Sequence, residues 1–241
     1  MRIFHTIIQP LFILLLLCIC IASCKNEVTT TINEEKINEG RITYSVTFPD
    51  IPANSLAHGM LPNEMTLSFK GSKTMIEVGT MLFSLRKILD SDKKEAIAML
   101  STSGMPSLAY KITGEELEEL ISVIPQYEIT IQDETKKIAE TEGIKAKAKE
   151  LTTGSTMEFY CSKNPMGDNL NWCSPFEEVQ GVLLEYDYQE GNFPKMRLKV
   201  TKIEHIAIDD KTFEYDKEDF NWIDKEKFEE KIKTFSNIMS M

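Results

Sequence analysis

The feature that most constrains this fold is a regular alternation of apolar and polar side chains, first seen just after Gly40. Ile42, Tyr44, Val46 and Phe48 are apolar, and the residues between them are polar. Because successive side chains of a β-strand point to opposite faces, the pattern predicts a strand that covers a core on one side. The same alternation recurs in four later segments, at 65–69, 127–131, 144–148 and 196–200.

Short turn signals separate the strand-like segments, so we expect antiparallel neighbours joined by tight turns. Further strands are predicted near 81–89, 95–101, 105–111, 155–161, 182–189 and 203–208. So many strands favour one large sheet over a small sandwich. The predicted fold class is mostly β with two helices (α+β), built as an antiparallel curved sheet or a half-open β-barrel with a helical lid.

Two segments carry the signals that begin and end helices. Thr113 and Glu116 can form a capping box that starts a helix. Pro125 cannot continue it, which predicts a helix over 113–124, and a second helix is predicted to begin at Asp224. Apolar staple pairs flank the two starting points: Ile112 with Leu117, and Ile223 with Phe228. Each helix has an apolar stripe that needs a surface to cover, so we expect a lid, with a cavity where the cover is incomplete.

The first 23 residues have the pattern of an export signal. Arg2 precedes an apolar stretch at 11–21, about half as long as the ~20 residues that span a bilayer. Residues 21–24, Ile-Ala-Ser-Cys, resemble the bacterial lipobox, in which the cysteine thiol receives a diacylglycerol group. We therefore predict a signal peptide over 1–23 and lipidation of Cys24. A permanent transmembrane helix and an ordinary secretory peptide with a chance cysteine are the weaker alternatives.

Processing at Cys24 would leave a lipid-anchored chain whose expected partner is the membrane. Residues 24–39 are polar and lack periodicity, which predicts a flexible linker before a single β-rich domain at 40–241. The full chain has 27 Lys and Arg against 38 Asp and Glu, a formal net charge of −11, and the loss of Arg2 would make it −12. The expected location is the periplasmic face of the outer membrane, with exposure on the cell surface left open.

The acidic balance argues against a nucleic-acid-binding protein, whose surface would need a surplus of Lys and Arg. Three histidines and five scattered cysteines do not form the usual ligand sets for zinc, haem or iron–sulfur clusters, so no metal or cofactor is expected. The sequence contains no nucleophile elbow, P-loop, dinucleotide-binding glycine motif or HExxH motif. We therefore predict that the protein is not an enzyme, and we assign structural roles to His58 and His205.

Cys161 and Cys173 are the two cysteines that follow Cys24. They flank a turn-rich stretch in a chain predicted to fold where disulfides can form, so a bond between them is the first expectation. Such a bond would restrict the unfolded chain by roughly 3 kcal/mol. Two unbonded buried thiols are the alternative, and a catalytic cysteine is disfavoured because no histidine base lies nearby in the sequence.

Three further patterns are weaker signals. Basic residues alternate at 145–149 and 195–199, which would give a basic stripe if the two strands were neighbours, or else a solvated face paired with local carboxylates. The connection 49–62 carries apolar side chains, Leu56 and Leu61 among them, that either pack on the rim of the sheet or await a partner. A calcium site without EF-hand spacing is a further alternative among four aspartates: Asp209, Asp210, Asp216 and Asp219.

Three segments resemble the signatures of the GLPGLI family of exported bacterial proteins. They are 39–44 (EGRITY), 143–147 (GIKAK) and 176–185 (FEEVQGVLLE), in which Gly181 stands at the position of the second glycine. The order of elements over roughly 40–225 is similar, more broadly, to the LolA/LolB-like superfamily. That resemblance implies a half-barrel with a helical lid that holds acyl chains and, for LolB-type members, a lipid anchor and an exposed apolar loop for membrane delivery.

These observations lead to one hypothesis and one alternative. The hypothesis is a non-enzymatic, lipid-anchored envelope protein that binds an acyl chain or similar hydrophobic ligand in the half-barrel, through residues that no motif identifies. The alternative is an interaction or structural lipoprotein with a filled core, which acts through its outer face or its loops. A continuous void of several hundred Å3 would favour the hypothesis, and a filled interior would favour the alternative.

Overall fold

The structure, a computed structural model, describes residues 37–189 and 194–239. The predicted signal peptide 1–23, the lipidation site Cys24 and the linker up to residue 36 lie outside the described residues. Within the described part, the first regular element begins at Glu39, close to the predicted start of the β-rich domain.

Twelve strands form one sheet. They are β1 (Glu39–Thr47), β2 (Glu64–Lys70), β3 (Lys73–Gly79), β4 (Phe83–Asp90), β5 (Glu95–Thr102), β6 (Met105–Thr113), β7 (Tyr127–Ile138), β8 (Thr141–Glu150), β9 (Thr156–Ser162), β10 (Leu183–Tyr188), β11 (Met196–Glu204) and β12 (Asn221–Trp222). Their order across the sheet is β12-β6-β5-β4-β3-β2-β1-β11-β10-β9-β8-β7, so the sheet is open rather than closed into a barrel. Neighbours are antiparallel except β12 and β6, which confirms the mostly β, antiparallel prediction.

Three α-helices accompany the sheet: α1 (Leu56–Met60), α2 (Gly114–Ser122) and α3 (Lys225–Met239). α2 and α3 are the two predicted helices, whereas α1 lies in the connection that was expected to be a loop. Two 3-10 turns, at Asp210–Phe213 and Lys217–Asp219, follow the last long strand. Among the residues that the structure describes, no helix is both long and apolar enough to span a membrane.

The two predicted helix starts have different outcomes. Asp224 does cap α3, because its Oδ1 accepts a hydrogen bond from the backbone N–H of Lys227 at 2.9 Å. The predicted capping box at Thr113 is wrong, since the Thr113 side chain makes no cap hydrogen bond. Thr113 is the last residue of β6, and Gly114 after it has a left-handed backbone with φ 59°, whereas a capping box requires helical backbone directly after the cap. Both predicted apolar pairs do pack together, each within its own core cluster.

Two strand predictions differ from the structure. The prediction of a strand at 203–208 is wrong, because β11 ends at Glu204 and the chain then leaves the sheet. Ile208 is buried beyond that point, where its backbone N–H donates to Glu39 Oε2 at 3.0 Å. β3 has no counterpart among the predicted strands. Its alternation is masked because Met75 on one face and Thr74 on the other are both buried.

One face of the sheet, here called the apolar face, is lined with buried apolar side chains. Ile42 and Tyr44 of β1 and Leu198 and Val200 of β11 lie at its centre and are almost inaccessible to solvent. The irregular segment 163–181 covers the part near β9 and β10. α2 and α3 cover the part formed by β4, β5 and β6, through Leu117 and Phe228 respectively. The two predicted helices therefore cover one half of the apolar face, and a segment without regular structure covers the other.

The opposite face, here called the polar face, is solvated over β1 and β7–β11. Over β3–β6 it is covered instead by the segment 205–222, which packs Ile208 and Phe213 against the strands. β5 is consequently buried on both sides, with Ile97 and Met99 facing one cover and Ala98 and Leu100 facing the other.

Candidate ligand-binding pocket

A pocket of about 380 Å3 lies on the apolar face near the end of the sheet formed by β7. We call it the edge pocket. Its walls are strands β7, β8 and β9 on one side and the end of the covering segment, residues 178–181, on the other. Its volume falls near the lower end of the range of small-molecule sites in proteins, roughly 300–1,000 Å3. Apolar side chains dominate the walls, namely Ile129, Ile131, Ile144, Pro165 and Val179.

The floor of the edge pocket contains the thiol of Cys161. Cys161 is buried, and its Sγ lies 3.8 Å from the carbonyl oxygen of Ile144 in hydrogen-bonding geometry. Burial raises the pKa of the Cys161 thiol, because the charged thiolate would lose its hydration. The thiol therefore stays protonated at neutral pH and acts as a small apolar wall group.

Exposed polar side chains stand at the rim of the pocket, namely Lys163, Glu178 and Gln180, and the buried Ser162 also lines it. The backbone of the rim is held by two buried side chains. Asn171 Nδ2 donates to the carbonyl oxygen of Val179 at 2.5 Å and to that of Gly181 at 3.0 Å. Ser162 Oγ accepts from the Val182 N–H at 2.9 Å. These contacts fix the covering segment above β9 and give the pocket a preformed wall.

An aromatic cluster supports the pocket from beneath. The Phe176 ring lies 5.2 Å from the ring of Phe159 and 5.9 Å from that of Tyr127, measured between centroids. It also contacts Tyr186 edge-on at 5.7 Å. Phe176 belongs to the covering segment and its partners belong to three different strands, so this one side chain anchors the cover to the sheet.

The predicted disulfide does not form in the structure, which shows no bond between Cys161 and Cys173. The physical reason is that the two side chains belong to different core clusters. Cys161 packs with Phe159 and Phe176 near the edge pocket. Cys173 packs against the cluster of Leu117 below α2. The alternative of two buried thiols fits Cys161, which is buried, but not Cys173, which is half-buried.

The two strands with alternating basic residues are not neighbours, because β10 and β9 lie between β11 and β8. The stripe is interrupted by carboxylates of β10: Asp187 pairs with Arg197 at 2.8 Å, and Glu185 pairs with Lys136 at 2.8 Å. Lys145 bridges Glu134 and Glu158 at 3.1 and 3.0 Å in the same way. Over β7–β11 the polar face is thus a solvated surface on which several basic side chains pair with local carboxylates.

We expect this ion-pair network to make stability fall in acid. Hydrogen bonds from Arg197 and Lys195 hold the pKa of Asp187 below its ordinary value of 3.8. A carboxyl with a lowered folded-state pKa contributes stability above its unfolded pKa and loses it as the pH falls through the folded value. Asp187→Asn should therefore be less stable than the parent at pH 7, and the gap should be smaller at about pH 3. Urea midpoints measured at both pH values would test this, with the exposed turn variant Asp92→Asn as control; a gap that persists in acid would contradict it.

The remaining predicted residues do not converge on a site. Asp209 and Asp216 each accept a hydrogen bond from the backbone two residues later, and Asp210 pairs with Lys70 at 2.9 Å. Among residues 37–189 and 194–239, no cluster of three His, Cys, Asp or Glu side chains is placed to hold a metal ion. In the connection 49–62, Leu61 packs into the core while Leu56 is 85% exposed.

A second pocket, of about 370 Å3, lies on the polar face beneath the segment 213–217. Its lining mixes both signs of charge, with Lys73, Lys93 and Lys217 on one hand and Asp90, Glu95 and Glu214 on the other. It offers neither the apolar surface that an acyl chain needs nor a single sign of charge for an ion. The edge pocket is the better candidate.

Sequence reasoning missed most of the edge pocket. Cys161 is the one predicted site residue that lines it, and it was singled out for a different reason. Ile129, Ile131 and Ile144 were recognised as strand residues of an apolar face. The signal that could have located the pocket is the segment 178–181, which was noted as a family signature and not as a wall.

No family model matches the chain, and no curated protein matches it. Among solved structures, two crystal forms of PNGF-II are similar, each with a TM-score of 0.47 and with 15% and 14% sequence identity. Each match covers 80% of this chain but 32% of the PNGF-II chain, so the chain spans about a third of the length of that structure.

Proposed function

We propose that this protein is a lipid-anchored envelope protein that binds a hydrophobic ligand, such as an acyl chain, in the edge pocket and catalyses no reaction. The observation that carries the proposal is the pocket itself: about 380 Å3 of space, walled by isoleucine and valine and open to solvent beside a strand edge. The predicted lipidation of Cys24 supplies the anchor. An open sheet with a cover over its apolar face is the arrangement that a LolA/LolB-like carrier would need.

Burial of hydrocarbon would supply the affinity. Each methylene removed from water contributes about 0.8 kcal/mol. The polar rim would remain in contact with the ligand's head group, where Lys163 and Gln180 offer hydrogen-bond donors and Glu178 offers acceptors. The pocket would therefore tolerate differences in the hydrocarbon part of the ligand and would show modest selectivity for its head group.

Native mass spectrometry with lipid extraction tests the proposal. The chain from residue 25 onward would be exported behind a signal that does not direct lipidation, so that any bound lipid is ligand and not anchor. Lipid that co-purifies at near-stoichiometric occupancy would support the proposal and identify the ligand class. A folded protein that is empty and takes up no hydrophobic fluorescent probe would overturn it.

A pocket-filling variant gives the matching prediction. Val179→Trp places a large side chain in the edge pocket, and excluding as few as two methylenes of ligand costs ~1.6 kcal/mol, roughly tenfold in Kd. We expect at least that loss of probe affinity. Val123→Trp is the control, because Val123 is 71% exposed and does not line the pocket. Equal probe binding by both variants, with urea midpoints unchanged, would place the ligand elsewhere.

One observation favours a second candidate function, an interaction protein that acts through its loops. The segments 51–63, 79–83 and 101–107 contain no Asp, Glu, Lys or Arg, although 27% of the chain is charged. These segments connect β1 to β2, β3 to β4 and β5 to β6, so they lie together at the same ends of these strands. There the Ser103 N–H donates to the Leu82 carbonyl oxygen at 2.9 Å. Met81 is fully exposed there, and Leu56 and Met105 are largely exposed. An empty, probe-negative protein in the experiment above would favour this candidate.

A further inference from the structure

The second pocket, which lies on the polar face beneath the segment 213–217, suits a different class of ligand from the edge pocket. We call it the polar-face pocket. Its floor is apolar, because Ile88 of β4, Ile97 of β5 and Phe213 belong to one core cluster, against which Tyr215 packs. Its volume of about 370 Å3 equals that of about a dozen water molecules at ~30 Å3 each, which is enough for a free amino acid.

A row of three charged side chains crosses the strands in the wall of this pocket. Lys73 of β3 stands opposite Asp90 of β4, and Asp90 in turn stands opposite Glu95 of β5. All three residues line the pocket. Residues directly opposite one another in a sheet have Cβ atoms about 4.5–5.5 Å apart, so the row places one positive and two negative groups side by side.

Asp90 is a nearly buried carboxylate with one oxygen left for a ligand. Its side chain is 9% exposed, and its Oδ1 accepts hydrogen bonds from Ser72 Oγ at 3.4 Å and from the Lys93 N–H at 3.1 Å. Among the residues that the structure describes, none donates a hydrogen bond to Oδ2. Its ion-pair partner, Lys93 Nζ, is 3.6 Å away on a side chain that is 67% exposed. Since a buried carboxylate oxygen gains from a close donor, Oδ2 is a position for an ammonium group.

Glu95 adds a second carboxylate beside the first. Its Oε2 pairs with Lys111 at 2.5 Å, away from Asp90. Like charges directly opposite one another in a sheet are destabilising. An ammonium group bound between Asp90 and Glu95 would therefore relieve a repulsion that the fold contains without it.

Two lysines of the pocket can receive the opposite charge. Lys73 Nζ lies 5.9 Å from the centroid of the Phe213 ring, in a cation–π contact. Lys217 lines the pocket from the segment that covers it. Within residues 37–189 and 194–239, neither ammonium group has a carboxylate at ion-pair distance. A ligand that carries a carboxylate next to its ammonium group would give both lysines a partner.

We propose that the polar-face pocket binds a free α-amino acid with an apolar side chain. The ammonium group of the ligand lies between Asp90 and Glu95, and its carboxylate pairs with Lys73 and Lys217. The side chain of the ligand lies on the apolar floor. A zwitterion fits because the pocket carries both signs of charge beside an apolar surface. This site is on the opposite face of the sheet from the edge pocket, so the inference goes beyond the proposed function and does not rest on it.

Saturation-transfer difference NMR with the full chain tests the inference, with leucine as the probe. N-acetyl-leucine lacks the ammonium charge and leucine amide lacks the carboxylate, whereas both keep the side chain. We expect leucine to bind and each analogue to bind at least about tenfold more weakly, the change that ~1.4 kcal/mol makes in Kd. Leucine that shows no transfer, or analogues that bind as well as leucine, would overturn the inference.

Asp90→Asn removes the charge and keeps Oδ1 as the acceptor for Ser72 and for the Lys93 N–H, so the turn retains its hydrogen bonds. We expect leucine to bind this variant at least about tenfold more weakly than the parent. Asp92→Asn is the matched control, because Asp92 is exposed in the same turn and does not line the pocket. Equal leucine affinity in the two variants would contradict the role of Asp90.

Lys73→Met tests the carboxylate end of the site independently of Asp90. It removes the ammonium group and retains an apolar side chain beside Phe213. A loss of leucine affinity of at least about tenfold is again expected. Lys211→Met is the control, since Lys211 is exposed and lies outside the pocket lining. A Lys73→Met variant that binds leucine as well as the control does would exclude this end of the site.

The edge-pocket variant Val179→Trp separates the two proposals. It should leave leucine binding unchanged, and a loss of leucine binding in this variant would place leucine in the edge pocket and overturn the inference. A chain that binds leucine but no hydrophobic probe would retain the amino-acid site and lose the proposed function. A chain that binds the hydrophobic probe but not leucine would have the reverse outcome.

Discussion

Phe176→Ala should lower the free energy of unfolding by about 3–5 kcal/mol, the usual cost of removing a buried aromatic side chain. Phe176 is 3% exposed and contacts three other rings from three strands. Because a domain has only about 5–15 kcal/mol of stability, this loss is a large share of the total. The covering segment 163–181 would also lose its main apolar anchor, so hydrophobic probe binding should fall with stability. Urea denaturation followed by tyrosine and tryptophan fluorescence measures the first effect.

The control for this substitution is an apolar residue without a core contact. Leu56 is 85% exposed, and Leu56→Ala should change the free energy of unfolding by no more than about 0.5 kcal/mol. A small effect of Phe176→Ala, comparable with that of Leu56→Ala, would show that the covering segment is held by other contacts.

Gly181→Ala is the second large expected effect. A methyl group at this position would lie 2.5 Å from the carbonyl oxygen of Ser162 and 2.6 Å from its Oγ. Neither atom can move away without cost, because the Ser162 N–H donates to the Val182 carbonyl oxygen and Ser162 Oγ accepts from the Val182 N–H. We expect a loss of about 3 kcal/mol, at the upper end of overpacking effects, together with a weakened pocket wall.

The control is a Gly→Ala substitution at a glycine without close neighbours. It reports the effect of reduced backbone flexibility on stability without the steric clash expected at Gly181. A methyl group added to Gly59, within α1, would meet no neighbouring atom within 4 Å. Gly59→Ala should be neutral or stabilising by up to about 1 kcal/mol, since alanine favours helices. Equal urea midpoints for the two variants would mean that the backbone at Gly181 can move away from Ser162 without a loss of stability.

The sequence predicted those parts of the fold that depend on one-sided burial. β1 and β8 alternate cleanly because one face meets the core and the other meets water, so the period of two is visible. β3 and β5 lie under a cover on each face, and two-sided burial removes the alternation. The predicted strand at 203–208 was too long because it included Ile208. This residue is apolar because it is buried against the polar face of the sheet, and it does not belong to a strand.

The edge pocket was beyond prediction for a different physical reason. A void depends on where an irregular segment crosses the sheet, and neither local propensity nor periodicity fixes the path of residues 163–181. Cys161 illustrates the difficulty. Its spacing from Cys173 allowed a disulfide, but the path of the chain between them sends one side chain to the edge pocket and the other toward α2.

The position of β1 has a consequence for the speed of folding. Strands β2–β6 and strands β7–β11 each follow one another across the sheet in chain order, so each group can form from local hairpins. β1 lies between the two groups and pairs with β2 on one side and with β11 on the other, where Tyr44 stands opposite Val200. Its second partner, β11, is therefore synthesised almost last. Contacts between strands so distant in sequence slow folding to milliseconds or longer. The centre of the sheet therefore cannot close until nearly the whole polypeptide is available, because β1 must wait for β11.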